Sequence, residues 1–168
     1  MLLGERISMR RIERGDLWKL WDWHELEELY IFTRYKQSIS YQEISEIFND
    51  YFHKTMDFII ECKNKPIGIC SSQHFIWKNR SCEFSCKFYE GNPDKLLSID
   101  AVFTFVRFLF QEMNLFRIDS LIPEDDFSSI DILKKTGFES EGRLREHIYR
   151  DGSYKDVLIF TLFKKNML

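Results

Sequence analysis

DFSSIDILKKTGFESEGRLREHIYRDGSYKD, residues 126–156, decides the fold of this chain. Residues 128–136 form a helical run with Ser129 near its start. Gly137 stands where a helix C′ residue turns left-handed, which glycine does without strain. After Gly137-Phe138 and Glu141-Gly142, residues 143–150 and 155–163 read as two strands joined at Asp151-Gly152. The order helix, Gly-Phe, Glu-Gly, strand, turn, strand is specific enough to constrain what the rest of the chain contains.

Working outward, residues 7–12 (ISMRRI) form a short strand, and Asp16 opens a helix carrying Leu17, Leu20, Trp21 and His24 on one side. A second helix spans residues 41–53, with Ile44, Ile47, Phe48 and Tyr51 as its apolar stripe. Residues 57–61 and 67–71 flank the turn Lys63-Asn64-Lys65-Pro66 as a hairpin, the second strand running on to Trp77. A strand over residues 81–89 alternates around Phe84, Cys86 and Phe88 and is broken by Gly91-Asn92-Pro93-Asp94. Residues 98–113 then form a helix that is apolar almost all round, with Thr104, Arg107 and Gln111 as a narrow polar face. Such a helix is buried on most sides or covers a subunit contact. Residues 116–122 give the next strand. The order β-α-α-β-β-β-α-β-α-β-β predicts an α+β (mixed α/β) domain of about seven strands and about four helices, with 1–168 a single domain.

Hydrophobic residues make up 44% and charged residues 30%, which marks a soluble globular chain. Ala101 is the only alanine against 16 phenylalanines, so large side chains must do the packing. Net charge is −3 and no Lys/Arg cluster is dense enough for a nucleic-acid footprint. No run has the length of a membrane span and no apolar segment opens the chain as a secretion signal. The expectation is a cytoplasmic protein with no nucleic-acid or membrane partner. Cys62, Cys70, Cys82 and Cys86 all fall in strands. Cys82 and Cys86 share a face but lie roughly 13 Å apart at strand rise, too far for a disulfide or a common metal. They read as reduced core thiols. His53 and His74 have no spaced partners, so no metal is expected.

ISMRRIERGDL (7–17), RSCEF (80–84), NLFRI (114–118), SIDILKKTGFESEGRLRE (129–146) and YKDVLIFTL (154–162) occur in this order across nearly the whole length. In these segments the chain resembles the GNAT superfamily of acyl-CoA-dependent N-acetyltransferases, and within it the branch that acetylates ribosomal-protein N-termini and polyamines. The resemblance implies a mostly antiparallel twisted sheet whose fourth and fifth strands, here residues 81–89 and 116–122, splay apart to receive the pantetheine arm of acetyl-CoA. Fourth-strand backbone around Cys86, Lys87 and Phe88 would pair with that arm, and one amide there can stabilise the thioester oxyanion. The pyrophosphate would sit on amides of a loop and helix N-terminus. The family writes that loop Gln/Arg-x-x-Gly-x-Gly/Ala. This chain writes Pro93-Asp94-Lys95-Leu96-Leu97-Ser98.

Several of those residues depart from the pattern. Pro93 removes an amide donor. Leu96 replaces a glycine that lets backbone approach a phosphate. Asp94 and Asp100 add negative charge beside a dianion site. Lys95 keeps one positive charge, and Ser98 is suited to N-cap the helix. Leu133 stands where many relatives carry a tyrosine that protonates the departing thiolate. Ser129 matches the family serine, and Asp126 replaces the usual asparagine beside it.

Acetyl transfer to an ammonium needs a base, an oxyanion donor and an acid. Glu83 is the candidate base, acting directly or through water, against the plainer reading of a strand carboxylate paired with Arg80 or Lys87. Ser129 is the candidate donor to cofactor or thiolate, against a helix-cap role. His147 and Tyr149 alternate along one strand face and, with Trp23, His24 and Glu25, are candidates for binding a cationic acceptor. Two readings follow. The first is an N-acetyltransferase moving an acetyl group from acetyl-CoA to a primary amine of a small molecule or peptide, through a direct ternary complex. The second is a GNAT-fold binding module that has lost this chemistry, its Phe-rich third helix supporting a homodimer. Residues 93–98 favour the second; Ser129 and the full C-terminal signature favour the first.

Overall fold

A computed structural model describes residues 1–26, 40–51, 55–89, 94–150 and 152–167. The side chains of His24, Glu25, Ile44, Ile47 and Tyr51, and residues Phe52, His53, Gly91, Asn92, Pro93 and Asp151, lie outside the described part. The elements are β1 (Leu2–Leu3), β2 (Ser8–Arg11), α1 (Leu17–Leu26), α2 (Tyr41–Tyr51), β3 (Met56–Cys62), β4 (Lys65–Ile76), β5 (Ser81–Phe88), α3 (Lys95–Gln111), β6 (Arg117–Pro123), α4 (Phe127–Lys135), β7 (Glu139–Arg150) and β8 (Ser153–Phe163). They build one eight-stranded sheet in the order β1-β2-β3-β4-β5-β6-β8-β7. Every neighbouring pair is antiparallel except β5 and β6.

The eighth strand is β1, which pairs Leu2 with Met9 and is too short for any pattern to announce. The fourth and fifth strands of the expected order are therefore β5 and β6. The β3–β4 turn is tighter than expected. Lys63 and Asn64 both take positive φ (51° and 62°), and Cys62 pairs with Lys65. That is the two-residue turn whose twist matches the strands it joins, so Lys65 and Pro66 already belong to β4.

Side chains alternate across the sheet into two cores. Phe58, Ile60, Cys70, Cys82 and Phe84 pack with α3 and α4, whereas Ile59 and Ile69 pack with Leu17, Leu20 and Trp23 of α1. The apolar surface of α3 is used within the chain: Ala101, Val102, Phe105, Val106, Leu109 and Phe110 are all buried. Thr104, expected on a polar face, is buried too. Helix α4 ends as its sequence demands. Gly137 has φ of 90°, its amide donates to Lys134 O (3.2 Å), and the Phe138 amide reaches back to Leu133 O (3.0 Å). This Schellman pair satisfies end carbonyls and drives Leu133 and Phe138 into one core. Among the described residues no helix is long and apolar enough to cross a membrane.

Two expectations about α3 are corrected. Its N-cap is Asp94, whose carboxylate accepts from the Leu97 amide at 2.7 Å, so the helix starts a turn early and Ser98 is buried inside it. Asp100 does not add charge to an anion site. It accepts from the amides of Glu5 (3.0 Å), Arg6 (2.7 Å) and Ile7 (3.2 Å) and ties the N-terminal strands to α3. Gly4 permits this contact, since a Cβ there would meet Asp100 oxygens at 2.6 and 2.7 Å. Charge-assisted bonds of this kind contribute about 2 kcal/mol. Asp100→Ala is expected to lower stability by about that amount in urea unfolding, with the folded spectrum otherwise retained.

Candidate active site

The ladder between β5 and β6 contains only Ser81↔Arg117, Cys82↔Ile118 and Glu83↔Asp119. Past that point each strand follows its other neighbour. β5 stays with β4 as far as Gly68↔Phe88, and β6 stays with β8 as far as Pro123↔Val157. The facing backbones of residues 84–88 and 120–123 therefore border a wedge. Cys86, Lys87 and Phe88 lie on its β5 side. Behind them β4 comes very close: a Cβ on Gly68 would lie 2.3 Å from the Lys87 carbonyl oxygen.

The first turns of α3 and α4 follow the wide, C-terminal ends of β5 and β6. On α3, Leu96 is 56% exposed while Leu97 packs against the core. Lys95 forms an ion pair with Asp131 of α4, and Lys135 lies 3.6 Å from the same carboxylate. Helix α4 is capped by Asp126, which accepts from the Ser129 amide (3.1 Å) and the Ser129 hydroxyl (2.8 Å). The single hydroxyl proton of Ser129 is thus directed at Asp126. Leu133 is buried in the core and offers no proton.

Glu83 marks the closed end of the wedge. Its carboxylate accepts from Gln73 Nε2 at 3.1 Å and meets His74 Nδ1 at 2.8 Å. These partners of the Glu83 carboxylate are both on β4. The cause is a register slip between Gln73 and Ile76, with His74 at φ 51°, which turns the imidazole towards the opposite strand. Beside Glu83 in the ladder, Asp119 accepts from Arg117 Nε (3.0 Å) and the Thr161 hydroxyl (2.7 Å), and Arg117 also holds Glu141. Arg117 keeps the Glu141 carboxyl below its ordinary range. Two carboxylates, Asp119 and Glu141, thus share one guanidinium, and Glu83 lies beside Asp119 in the ladder. Among the described residues no group of three His, Cys, Asp or Glu side chains is placed to hold a metal.

The acetyltransferase (GNAT) domain model matches residues 9–159. The chain belongs to the GNAT acetyltransferase family. It is 23% identical over 167 residues to spermidine N(1)-acetyltransferase of Escherichia coli K12, covering 96% of this chain and 88% of that protein. It is also 23% identical to the uncharacterized N-acetyltransferase p20 of Bacillus licheniformis, covering 98% and 96%. The crystal structure of spermidine N-acetyltransferase from Vibrio cholerae in complex with CoA and spermine shares its fold, with a TM-score of 0.88, 20% identity and coverage of 97% and 98%. This protein is therefore an N-acetyltransferase of the GNAT family, with acetyl-CoA as co-substrate and an amine as acceptor.

Not every expected residue of the acetyltransferase reaches the wedge. Trp23 has no exposed surface; it stacks on Tyr89 at 5.0 Å and serves the α1 core, so it lines no open acceptor pocket. His147 and Tyr149 lie on β7, the sheet edge, His147 within and Tyr149 beyond a register shift between Leu144 and Ile148. Tyr149 faces Tyr154, seven residues along β8 from Thr161 in the Glu83 row, which places it roughly 20 Å along the sheet from that row. Both are exposed there and are not brought to Glu83.

Asp57 was not singled out by its sequence, and among the described residues it is the carboxyl raised furthest. It is 3% exposed beneath α1, bonded by the Thr55 hydroxyl, and faces Ser71 across the ladder. Asp57 Oδ1 and Ser71 Oγ have no hydrogen bond of ordinary geometry. Burial pushes the Asp57 carboxyl up to about 6, against the opposing pull of the Ser71 and Thr55 hydroxyls and of Arg11. The folded protein then holds a proton that the unfolded chain releases near pH 4. This contribution is fully present below that point and is lost as pH rises to about 6, amounting to about 3 kcal/mol. Asp57→Asn is expected to remove this component, so the stability difference between variant and wild type should change between pH 4 and pH 6 and be flat above pH 7. In Gly68→Ala, displacement of the Lys87 carbonyl should weaken CoA binding in calorimetry while thermal stability also falls.

Proposed function

We propose that the pantetheine arm of acetyl-CoA lies along residues 86–88 of β5 and that a small polyamine is acetylated at Glu83. The observation that carries this reading is the end of the β5–β6 ladder at Glu83↔Asp119, which puts a hydrogen-bonded carboxylate at the apex of a wedge between the two strands. A thioester at the apex would have the β5 amides as oxyanion donors. Glu83, held by Gln73 and His74, would take the ammonium proton directly or through water, freeing the amine to attack. Its carboxylate stands beside Asp119, and with Glu141 the three outnumber the one guanidinium that Asp119 and Glu141 share, which favours a polycation. The relatives named as spermidine acetyltransferases point the same way.

The remaining parts fit unequally. Departure of the thiolate needs a proton, and Ser129 can supply its own only by exchanging its bond to Asp126 for one to sulfur. The α3 N-terminus already has the Asp94 carboxylate on its Leu97 amide, so a pyrophosphate there must share it. Lys95 brings charge to that end but is paired with Asp131. The proposal is accordingly an acetyltransferase with modest CoA affinity, residues 1–168 acting as one catalytic domain.

Calorimetry with CoA and acetyl-CoA tests the cofactor half, and no binding at millimolar cofactor would sink it. Thiol release with spermidine, an amino sugar and a peptide N-terminus tests the acceptor, with spermidine expected to be preferred. In Glu83→Gln, kcat is expected to fall by about a hundredfold or more while CoA affinity is unchanged. An unchanged kcat would remove Glu83 from the chemistry.

A further inference from the structure

Cys70 on β4 and Cys86 on β5 are direct cross-strand partners. Such partners share a face, and their Cα atoms stand about 4.5–5.5 Å apart, within the window of about 4.4–6.8 Å that a disulfide spans. Both thiols are free, and the two sulfurs are close enough to share a hydrogen bond. They differ in access. Cys70 is sealed in the α3 core, whereas Cys86 is half-buried on the segment of β5 that borders the wedge. Cys82 and Cys86 stand apart along one strand, whereas the close pair lies across the ladder.

We propose that Cys86 and Cys70 form a thiol–disulfide exchange site for small disulfides, Cys86 reacting first and Cys70 resolving. The Cys86 thiolate attacks one sulfur of a disulfide RS–SR. A Cys86–SR bond forms, the S–S bond breaks, and RS⁻ leaves and takes up a proton. The Cys70 thiolate then attacks Cys86 Sγ and expels the second RS⁻. Two protein thiols are oxidised to one disulfide and one RS–SR is reduced to two RSH. Burial holds the Cys70 thiol well above the ordinary range, so its thiolate is scarce and resolution is the slow, alkali-accelerated step. The product would staple β4 to β5 beside the wedge.

Native wild type, Cys70→Ala and Cys86→Ser are incubated with glutathione disulfide, alkylated and mapped by mass spectrometry. Wild type should carry a Cys70–Cys86 disulfide and no glutathione. Cys70→Ala should keep one glutathione on Cys86, and Cys86→Ser should show neither. Where Cys70→Ala fails to fold, quenching wild type at early times should trap the Cys86 adduct. Cys86 without an adduct in both experiments, or wild type that keeps glutathione on Cys86 with Cys70 reduced, overturns the proposal. Added CoA should suppress the adduct on Cys86; this arm rests on the proposed cofactor position. Loss of that protection alone faults the placement of CoA and leaves the thiol pair standing.

Discussion

One parallel pair sits inside an otherwise antiparallel sheet, and most of the candidate site depends on how that pair ends. β5 and β6 share a ladder for three residue pairs and then stay with β4 and β8 respectively. Backbone donors and acceptors of two adjacent strands are left facing a wedge rather than each other. An extended ligand arm with its own amides is one of the few things that can lie between two such strands. The α3 crossover that makes the pair parallel also delivers the α3 N-terminus to the wide end, while Glu83 closes the narrow end.

The two ends of the wedge differ electrostatically. At the wide end Asp94 and Asp126 each cap a helix from within the chain and offset the positive end of its dipole. Lys95 and Lys135 share Asp131. At the narrow end, carboxylates gather around Arg117, and His74 leans on Glu83 from a positive-φ bulge, the kind of backbone outlier that concentrates at functional sites. The narrow end of the wedge is thus more fully furnished with polar partners than the wide end. This is the physical content of the family likeness and of the departures at residues 94–98.

Legibility followed range. Gly137, the α4 helix and the β7–β8 hairpin were readable because their determinants lie within a few residues of one another. Cys86, Lys87 and Phe88 fall on the fifth strand as strand alternation predicts, beyond the end of its ladder with β6. Ser98 misled: it is a good capping residue, but Asp94 reaches the Leu97 amide first and starts the helix earlier. Trp23 misled in another way, since an aromatic beside acids looks the same in sequence whether it covers a core or a ligand. Burial decided for the core.

By itself the sequence determined the order of elements, the strands that carry the wedge, and the family, because periodicity, glycine position and local motifs are properties of short segments. The tertiary structure alone decided which polar groups meet. Asp100 finds amides of residues 5–7, His74 finds Glu83 through a slip in register, Asp57 is stranded against Ser71, and Cys70 comes opposite Cys86. Each of these pairings depends on strand register or on helix-to-strand docking. A shift of one residue would turn the same side chains to the other face of the sheet, and nothing local to either partner records the choice.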